Sequence, residues 1–203
     1  AQIDGFLANV KVSAPPASKI QAVIVPHAGH VYSGQVAAQA YKLVAGQDYE
    51  TVIIIGPSHQ YGFEGCSIDQ ADGYETPLGV APIDKPLVSA LYRASGFKYV
   101  PKAHEKEHSL EVQIPFIQRV LPKAKIVPVI MGLQTRPTIV ALANALASTL
   151  SQKNTLVIAS SDMSHFLSKE KANSVDSNTI SLIQSFQTGQ LLRKIEAGEN
   201  VFC

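Results

Sequence analysis

Two apolar runs in the sequence each lead to a histidine. His27 follows the run at 21–26, and His59 follows the run at 51–56 after a short Pro-Ser step. Neutral imidazole is a common ligand for iron, zinc and copper, so two histidines in equivalent positions could bind one ion. The alternative is that both are polar loop residues bonded to nearby backbone. Position alone leaves that choice open.

A third polar group follows the apolar run at 155–160. Asp162 and His165 are three residues apart, a spacing that lets two side chains face the same point in a turn or first helical turn. The carboxylate could orient the imidazole, or either group could transfer a proton. The alternative is that Ser160, Ser161 and Asp162 only cap the start of a helix. The two roles are compatible.

A charged stretch at 103–111 offers further candidates. Glu105 and His108 have the Glu-x-x-His spacing of helical di-iron bundles, but that fold needs four such helices. We therefore expect Glu107, His108 and Glu111 to line the rim of a pocket, with His108 able to donate to a carboxylate. A solvated helix start is the alternative for the beginning of this stretch.

The elements that must position these residues follow from the hydrophobic pattern. Apolar runs predict strands at 21–26, 51–56, 124–132 and 155–160. Helical patterns cover 33–46, 107–122 and 136–152. Ser33 is the expected N-cap of the first helix, and Pro115 predicts a kink or a late start in the second. Buried strands that alternate with helices predict an α/β fold with a mostly parallel or mixed central sheet and helices on both faces. Ligands of such sheets bind beyond the carboxyl ends of the strands.

Composition limits the class of protein. The chain has 203 residues, 46% of them hydrophobic and 16% charged, with a net charge of +1. These values fit one globular domain over 1–203 and give no basic patch for nucleic acid. No apolar stretch reaches bilayer length, and two cysteines, Cys66 and Cys203, suit a reducing cytoplasm. Because the chain starts at Ala1 and stops at Cys203, we expect it to lack its natural start and end.

Five motifs together resemble one family, the Memo-like proteins, also called AmmeMemoRadiSam system protein B. The motifs are PHAGHVYSG (26–34), IIIGPSH (53–59), YETPLG (74–79), EHSLEVQIPF (107–116) and SDMSHF (161–166). They cover most of the chain. The family is similar to catalytic subunits of class III extradiol dioxygenases, so the resemblance implies an α/β domain of that type with a non-haem metal site.

The resemblance also implies roles for individual residues. His27 and His59 match two metal ligands of the family, and Cys203 lies where its third ligand, a cysteine, is expected. Asp162 and His165 match a pair beside the metal. His30 stands where the family usually has tyrosine, so we expect it in the pocket wall.

The implied cofactor is a divalent metal, with Fe(II) expected first and Zn or Cu as alternatives. The implied activity is a metal-dependent, dioxygenase-like oxidation in which His165 acts as acid or base.

Two other functions remain open at this point. The same pocket could serve a non-catalytic binding module for a peptide or an anionic ligand, since the family includes a member that binds phosphotyrosine peptides. The family's system name also suggests a radical-SAM partner protein. We also expect a homodimer and a small-molecule or peptide ligand. We expect no nucleic-acid partner and no membrane partner.

Overall fold

Strands and helices alternate along most of the chain. The structure, a computed structural model, describes residues 2–11, 18–94, 96–150, 154–199 and 201. The strands there are β1 (Ala22–Val25), β2 (Thr51–Pro57), β3 (Cys66–Ile68), β4 (Gly73–Thr76), β5 (Gly79–Pro82), β6 (Phe97–Lys98), β7 (Lys125–Met131) and β8 (Thr155–Ser160). The helices there are α1 (Gln2–Ala8), α2 (His30–Val44), α3 (Lys85–Tyr92), α4 (Pro101–His104), α5 (His108–Glu111), α6 (Ile114–Val120), α7 (Arg136–Leu150), α8 (Lys169–Gln184) and α9 (Thr188–Glu196). None of the helices in these ranges is long and apolar enough to cross a bilayer.

The central sheet confirms the predicted fold class. Within the described ranges, six strands are ordered β1-β8-β2-β7-β3-β6, and β4 pairs with β5 in a separate antiparallel hairpin. The pairs along β1, β8, β2 and β7 are parallel, while β3 runs antiparallel to β7 and parallel to β6. The result is an α/β domain with a mostly parallel, mixed sheet flanked by helices.

The middle strands are apolar on both faces because both faces are covered. Val52, Ile53 and Ile54 of β2 are fully buried, as is Ile126 of β7. This is why the run at 51–56 shows no polar alternation. Burial of each such side chain stabilises the fold by about 1.5–3 kcal/mol. The branched side chains thus specify central, not edge, strands.

Strand register aligns the ends that carry the predicted site residues. Val25 of β1 pairs with Ser160 of β8, and Ile55 of β2 pairs with Ala159 of β8. Parallel neighbours finish at the same edge of a sheet. The loops that follow β1, β2 and β8 therefore emerge side by side.

The start of α2 differs from the prediction. The helix begins at His30 with Gly29 as N-cap, so the predicted N-cap Ser33 lies one turn inside it. The carbonyl of Gly29 accepts backbone hydrogen bonds from Tyr32 and Ser33. The Ser33 hydroxyl instead donates back to the Ala28 carbonyl at 2.7 Å. The first hydrogen bonds of this helix are therefore accepted by a backbone carbonyl, and its N-cap makes no side-chain hydrogen bond.

The stretch at 107–122 forms two short helices, α5 and α6, so the predicted late start is confirmed. Pro115 occupies the first turn of α6, where its missing N–H costs nothing. The apolar stripe of this stretch is buried at Leu110, Ile114, Ile117 and Leu121. Packing of that stripe fixes α5 above the end of β2.

Candidate metal centre

Three histidine side chains meet beyond the carboxyl ends of β1 and β2. His27 follows β1, His59 follows β2, and His108 begins α5. One ring nitrogen from each lies within 4.8 Å of those of the other two. The ring centroids are 5.2 Å apart for His27 and His59, and 5.0 Å apart for His59 and His108. His27 is buried, whereas the other two are exposed, so the group opens to solvent on one side.

His27 is held from two directions. Its backbone N–H donates to Asp162 Oδ1 at 2.7 Å, and its Nδ1 lies 3.2 Å from Ser160 Oγ. Burial lowers the pKa of His27, and the nearby Asp162 carboxylate opposes this only in part. The ring is therefore neutral near pH 7. Metal ions bind the neutral form of imidazole.

His59 is held by a buried carboxylate. Glu107 Oε2 accepts the His59 backbone N–H at 2.6 Å, and Oε1 lies 2.8 Å from His59 Nδ1. Oε1 also accepts the backbone N–H of Ser109 at 2.9 Å. Burial would raise the pKa of Glu107, but these hydrogen bonds outweigh it and leave the pKa below its usual value. An ionised carboxylate on Nδ1 directs the other ring nitrogen outward, as in many carboxylate–histidine–metal sites.

His108 completes the group in the described part of the chain. Its ring stacks on that of His59 with an interplanar angle of 17°, and its Nδ1 lies 3.9 Å from Glu107 Oε1. We predicted His108 and Glu107 at the pocket rim. The structure places His108 among the three converging nitrogens and Glu107, only 1% of its side chain exposed, beneath His59. The predicted ligand Cys203 lies outside the described residues.

Asp162 links the first histidine to His165. Its Oδ1 accepts the backbone N–H groups of His27 and Ala28. Its Oδ2 lies 3.9 Å from His27 Nε2 and 3.8 Å from His165 Nε2. The side chain of His165 is 42% exposed. A partly buried carboxylate thus lies between a buried imidazole and a solvent-accessible one.

The two other predicted rim residues lie apart from these nitrogens. His30 Nε2 donates to the Val112 carbonyl at 2.7 Å, and its ring packs edge-on against Phe116 at 5.5 Å. His30 therefore joins α2 to the α5–α6 junction and is not in the histidine group. Glu111 is exposed at the last residue of α5.

Three buried polar residues lie behind the histidines; the sequence pattern suggests only a helix-capping role for Ser160 and no role for Gln113 or Ser109. Gln113, Ser109 and Ser160 are each no more than 3% exposed. Gln113 interrupts the apolar stretch between α5 and α6, and Ser160 ends a buried strand. A polar residue within an apolar pattern is the signal that could have identified them, because buried polar groups need hydrogen-bond partners.

The donor set suits a late first-row transition metal. Imidazole nitrogens favour zinc, copper, iron and nickel, whereas magnesium and calcium prefer oxygen ligands. Nitrogens bound to one tetrahedral zinc ion at the usual Zn–N length of about 2.1 Å lie about 3.4 Å from one another. The three rings are therefore within a small side-chain movement of a common ion. Three protein ligands leave coordination positions for water or substrate.

Comparison with known proteins gives the chain a family context. The model of the family described as Memo-like protein matches residues 1–203. A MEMO1 family protein of Methanothermobacter thermautotrophicus is 40% identical over 169 residues, which are 81% of this chain and 61% of the relative. One from Methanobrevibacter smithii is 39% identical over 181 residues, covering 85% and 63% of the two chains. One from Aquifex aeolicus is 35% identical over 177 residues, covering 87% and 66%. The matches thus span less than two thirds of the length of these relatives.

Proposed function

The chain belongs to the Memo-like protein family, and on that premise we propose that it carries a non-haem metal centre held by His27 and His59. The observation that supports this most directly is the convergence of three imidazole nitrogens within 4.8 Å. His108 is the third member of that group. Cys203 is the third ligand that family resemblance implies. Fe(II) is the first candidate for the ion, with zinc and copper as alternatives.

The proposed reaction is a metal-dependent oxidation of the dioxygenase type. The bound ion would supply Lewis acidity toward O₂ or an oxygen-bearing substrate. The chain itself contributes the surrounding groups. Asp162 holds the backbone at His27 and faces His165 with its second oxygen. His165 is exposed enough to take a proton from a bound ligand and pass it to solvent, as a general acid or base does.

A non-catalytic pocket for an anion or a peptide is the second candidate. An imidazole attracts an anion only when it is protonated. Burial lowers the pKa of His27, so this ring gives no positive charge near neutral pH. The convergence of three ring nitrogens, which suits a metal ion, supports the metal centre over the anion pocket. A partner role beside a radical-SAM protein, suggested by the family's system name, stays a separate proposal.

Metal content tests the proposal. We expect the protein, loaded anaerobically with Fe(II) and freed of excess metal, to retain about one ion per chain by plasma mass spectrometry. His27→Ala and His59→Ala should abolish retention. His104→Gln is the matched control, because His104 bonds Ser67 and is not one of the three converging histidines. Less than about a tenth of an equivalent in the wild type would overturn the metal centre.

The third ligand is tested by two further variants. If His108 binds the ion, His108→Ala loses metal and Cys203→Ser retains it. The reverse result assigns the role to Cys203. Retention of metal without consumption of O₂ in the presence of catechols would reject the oxidation and favour the binding role.

A further inference from the structure

A chain of buried, hydrogen-bonded polar side chains lies behind the ring of His27. It begins at Tyr41 of α2, whose side chain is fully buried. The Tyr41 hydroxyl donates to Gln113 Oε1 at 2.8 Å. The amide nitrogen of Gln113 donates to the Pro26 carbonyl at 3.0 Å and to Ser160 Oγ at 2.8 Å. The Pro26 carbonyl can only accept, so the amide of Gln113 has one allowed orientation.

The Ser160 hydroxyl also has one allowed direction. It donates to the Ser109 carbonyl at 2.6 Å. The two backbone N–H groups that would reach this carbonyl in a continuous helix, those of Val112 and Gln113, donate instead to the carbonyls of His108 and Leu110. Ser109 is fully buried, so an unsatisfied carbonyl there would be costly. The single hydroxyl proton of Ser160 therefore points to the Ser109 carbonyl.

The third polar neighbour of the Ser160 oxygen must then be a hydrogen-bond donor. A serine oxygen offers one proton and two acceptor positions. Gln113 fills the first acceptor position, and the ring nitrogen Nδ1 of His27, 3.2 Å away, faces the second. Since the hydroxyl proton points elsewhere, Nδ1 must carry a proton. The lone pair of a neutral ring is then on Nε2.

We propose that Ser160 and Gln113 are positioning residues that lock His27 as its Nδ1–H tautomer and so prepare Nε2 for a metal ion. Binding of a metal ion to Nε2 rests on the proposed function, whereas the tautomer of His27 does not depend on it. A histidine ligand needs a lone pair on the nitrogen that meets the ion, and outer hydrogen bonds commonly set this. Here the hydrogen bonds run from α2 through the α5–α6 junction to β8, so the fold and not the metal selects the tautomer.

The tautomer can be read without any metal. Protein labelled with ¹⁵N-histidine and stripped with a chelator is recorded in a long-range ¹H–¹⁵N spectrum, with His27→Gln used to assign the His27 signals. We expect a protonated Nδ1 and an unprotonated Nε2 for His27 in the wild type. In Ser160→Ala both nitrogens should move toward the averaged values of a tautomer mixture. Ser161→Ala is the matched control, since the Ser161 hydroxyl donates to the Asp162 carbonyl, and it should leave the signals in place.

Zinc affinity gives the second readout, by competition with a chromophoric chelator. We expect Ser160→Ala to weaken binding by about 10–100-fold, the usual effect of removing an outer hydrogen bond from a ligand, and Gln113→Leu to weaken it in the same direction. If Ser160→Ala does not fold, the wild-type spectrum and Gln113→Leu still decide the question. A wild-type His27 protonated on Nε2, or a spectrum unchanged in a folded Ser160→Ala, would overturn the inference. The expected tautomer together with no zinc binding would reject the metal centre and leave the tautomer lock standing.

Discussion

Glu107 contacts His59 with both carboxylate oxygens: Oε2 accepts the His59 backbone N–H at 2.6 Å, and Oε1 lies 2.8 Å from His59 Nδ1. Because Glu107 immediately precedes His108, one buried carboxylate positions two members of the histidine group. It holds His59 directly and His108 through the chain. The carboxylate also caps α5 by accepting the Ser109 N–H. The same carboxylate therefore starts α5 and positions the histidine group.

We predict that Glu107→Gln weakens Zn²⁺ binding by about 10–100-fold and lowers the free energy of unfolding by about 1–3 kcal/mol. An amide has one acceptor oxygen, so its NH₂ group must face one of the His59 N–H donors. Chelator competition and urea denaturation measure the two effects. Glu105→Gln, at an exposed position two residues earlier, should change neither. Equal affinity in both variants would show that the carboxylate does not position the site.

Gly56 allows α5 to approach β2, and we predict that Gly56→Ala destabilises the protein by about 1–3 kcal/mol. A Cβ at this position would lie 2.5 Å from Ser109 Oγ and 3.0 Å from Leu110. Ser109 neighbours His108, so zinc affinity should fall as well. Gly5→Ala in α1 is the control, because a Cβ there meets nothing within 4 Å. Thermal melting with and without zinc checks both effects, and a Gly56→Ala protein as stable as Gly5→Ala would contradict the close packing.

Because of His104, we predict that the free energy of unfolding of the protein depends on pH. Its Nε2 lies 2.8 Å from Ser67 Oγ, and burial lowers its pKa from the ordinary value of 6.5, although Asp69 and Glu107 act in the opposite direction. A lowered folded-state pKa contributes stability above pH 6.5 that is lost as the pH falls through the folded value. We expect the stability advantage of wild type over His104→Gln to shrink from about pH 7.5 to pH 5 in urea titrations. An advantage that grows on acidification would mean a raised pKa.

Cys66 is predicted to be unreactive in the folded protein. It is 1% exposed in β3, and burial raises the pKa of its thiol to about 11. The thiolate is the reactive form, so iodoacetamide should modify the peptide containing Cys66 only after the protein is unfolded in urea. Peptide mass spectrometry separates this site from Cys203. Rapid, complete alkylation under native conditions would contradict the burial.

The sequence indicated the fold because its signals were local and mutually consistent. Isoleucine and valine runs predicted buried strands, and the alternation with helices predicted a mostly parallel sheet. Burial is confirmed for β2 and β7 but wrong for β1, which is an edge strand with Ile24 50% exposed. It also predicted that His27, His59 and Asp162 follow strands, because polar residues interrupt the runs at those points. The start of α2 was placed too late, since a glycine carbonyl begins that helix and no side-chain cap marks it.

The chain alone thus determined the sheet, the edge at which its parallel strands end, and the histidines that follow β1 and β2. The position of His108 among those histidines required the folded molecule. It depends on the packing of α5 against β2, which the lack of a side chain at Gly56 allows. It also depends on the Glu107 carboxylate, which contacts His59, 48 positions earlier in the chain. The proton arrangement proposed behind His27 likewise joins residues from α2, the α5–α6 junction and β8. Such contacts are long-range, and no local pattern of residue types encodes the direction of a hydroxyl proton or the tautomer of a ring.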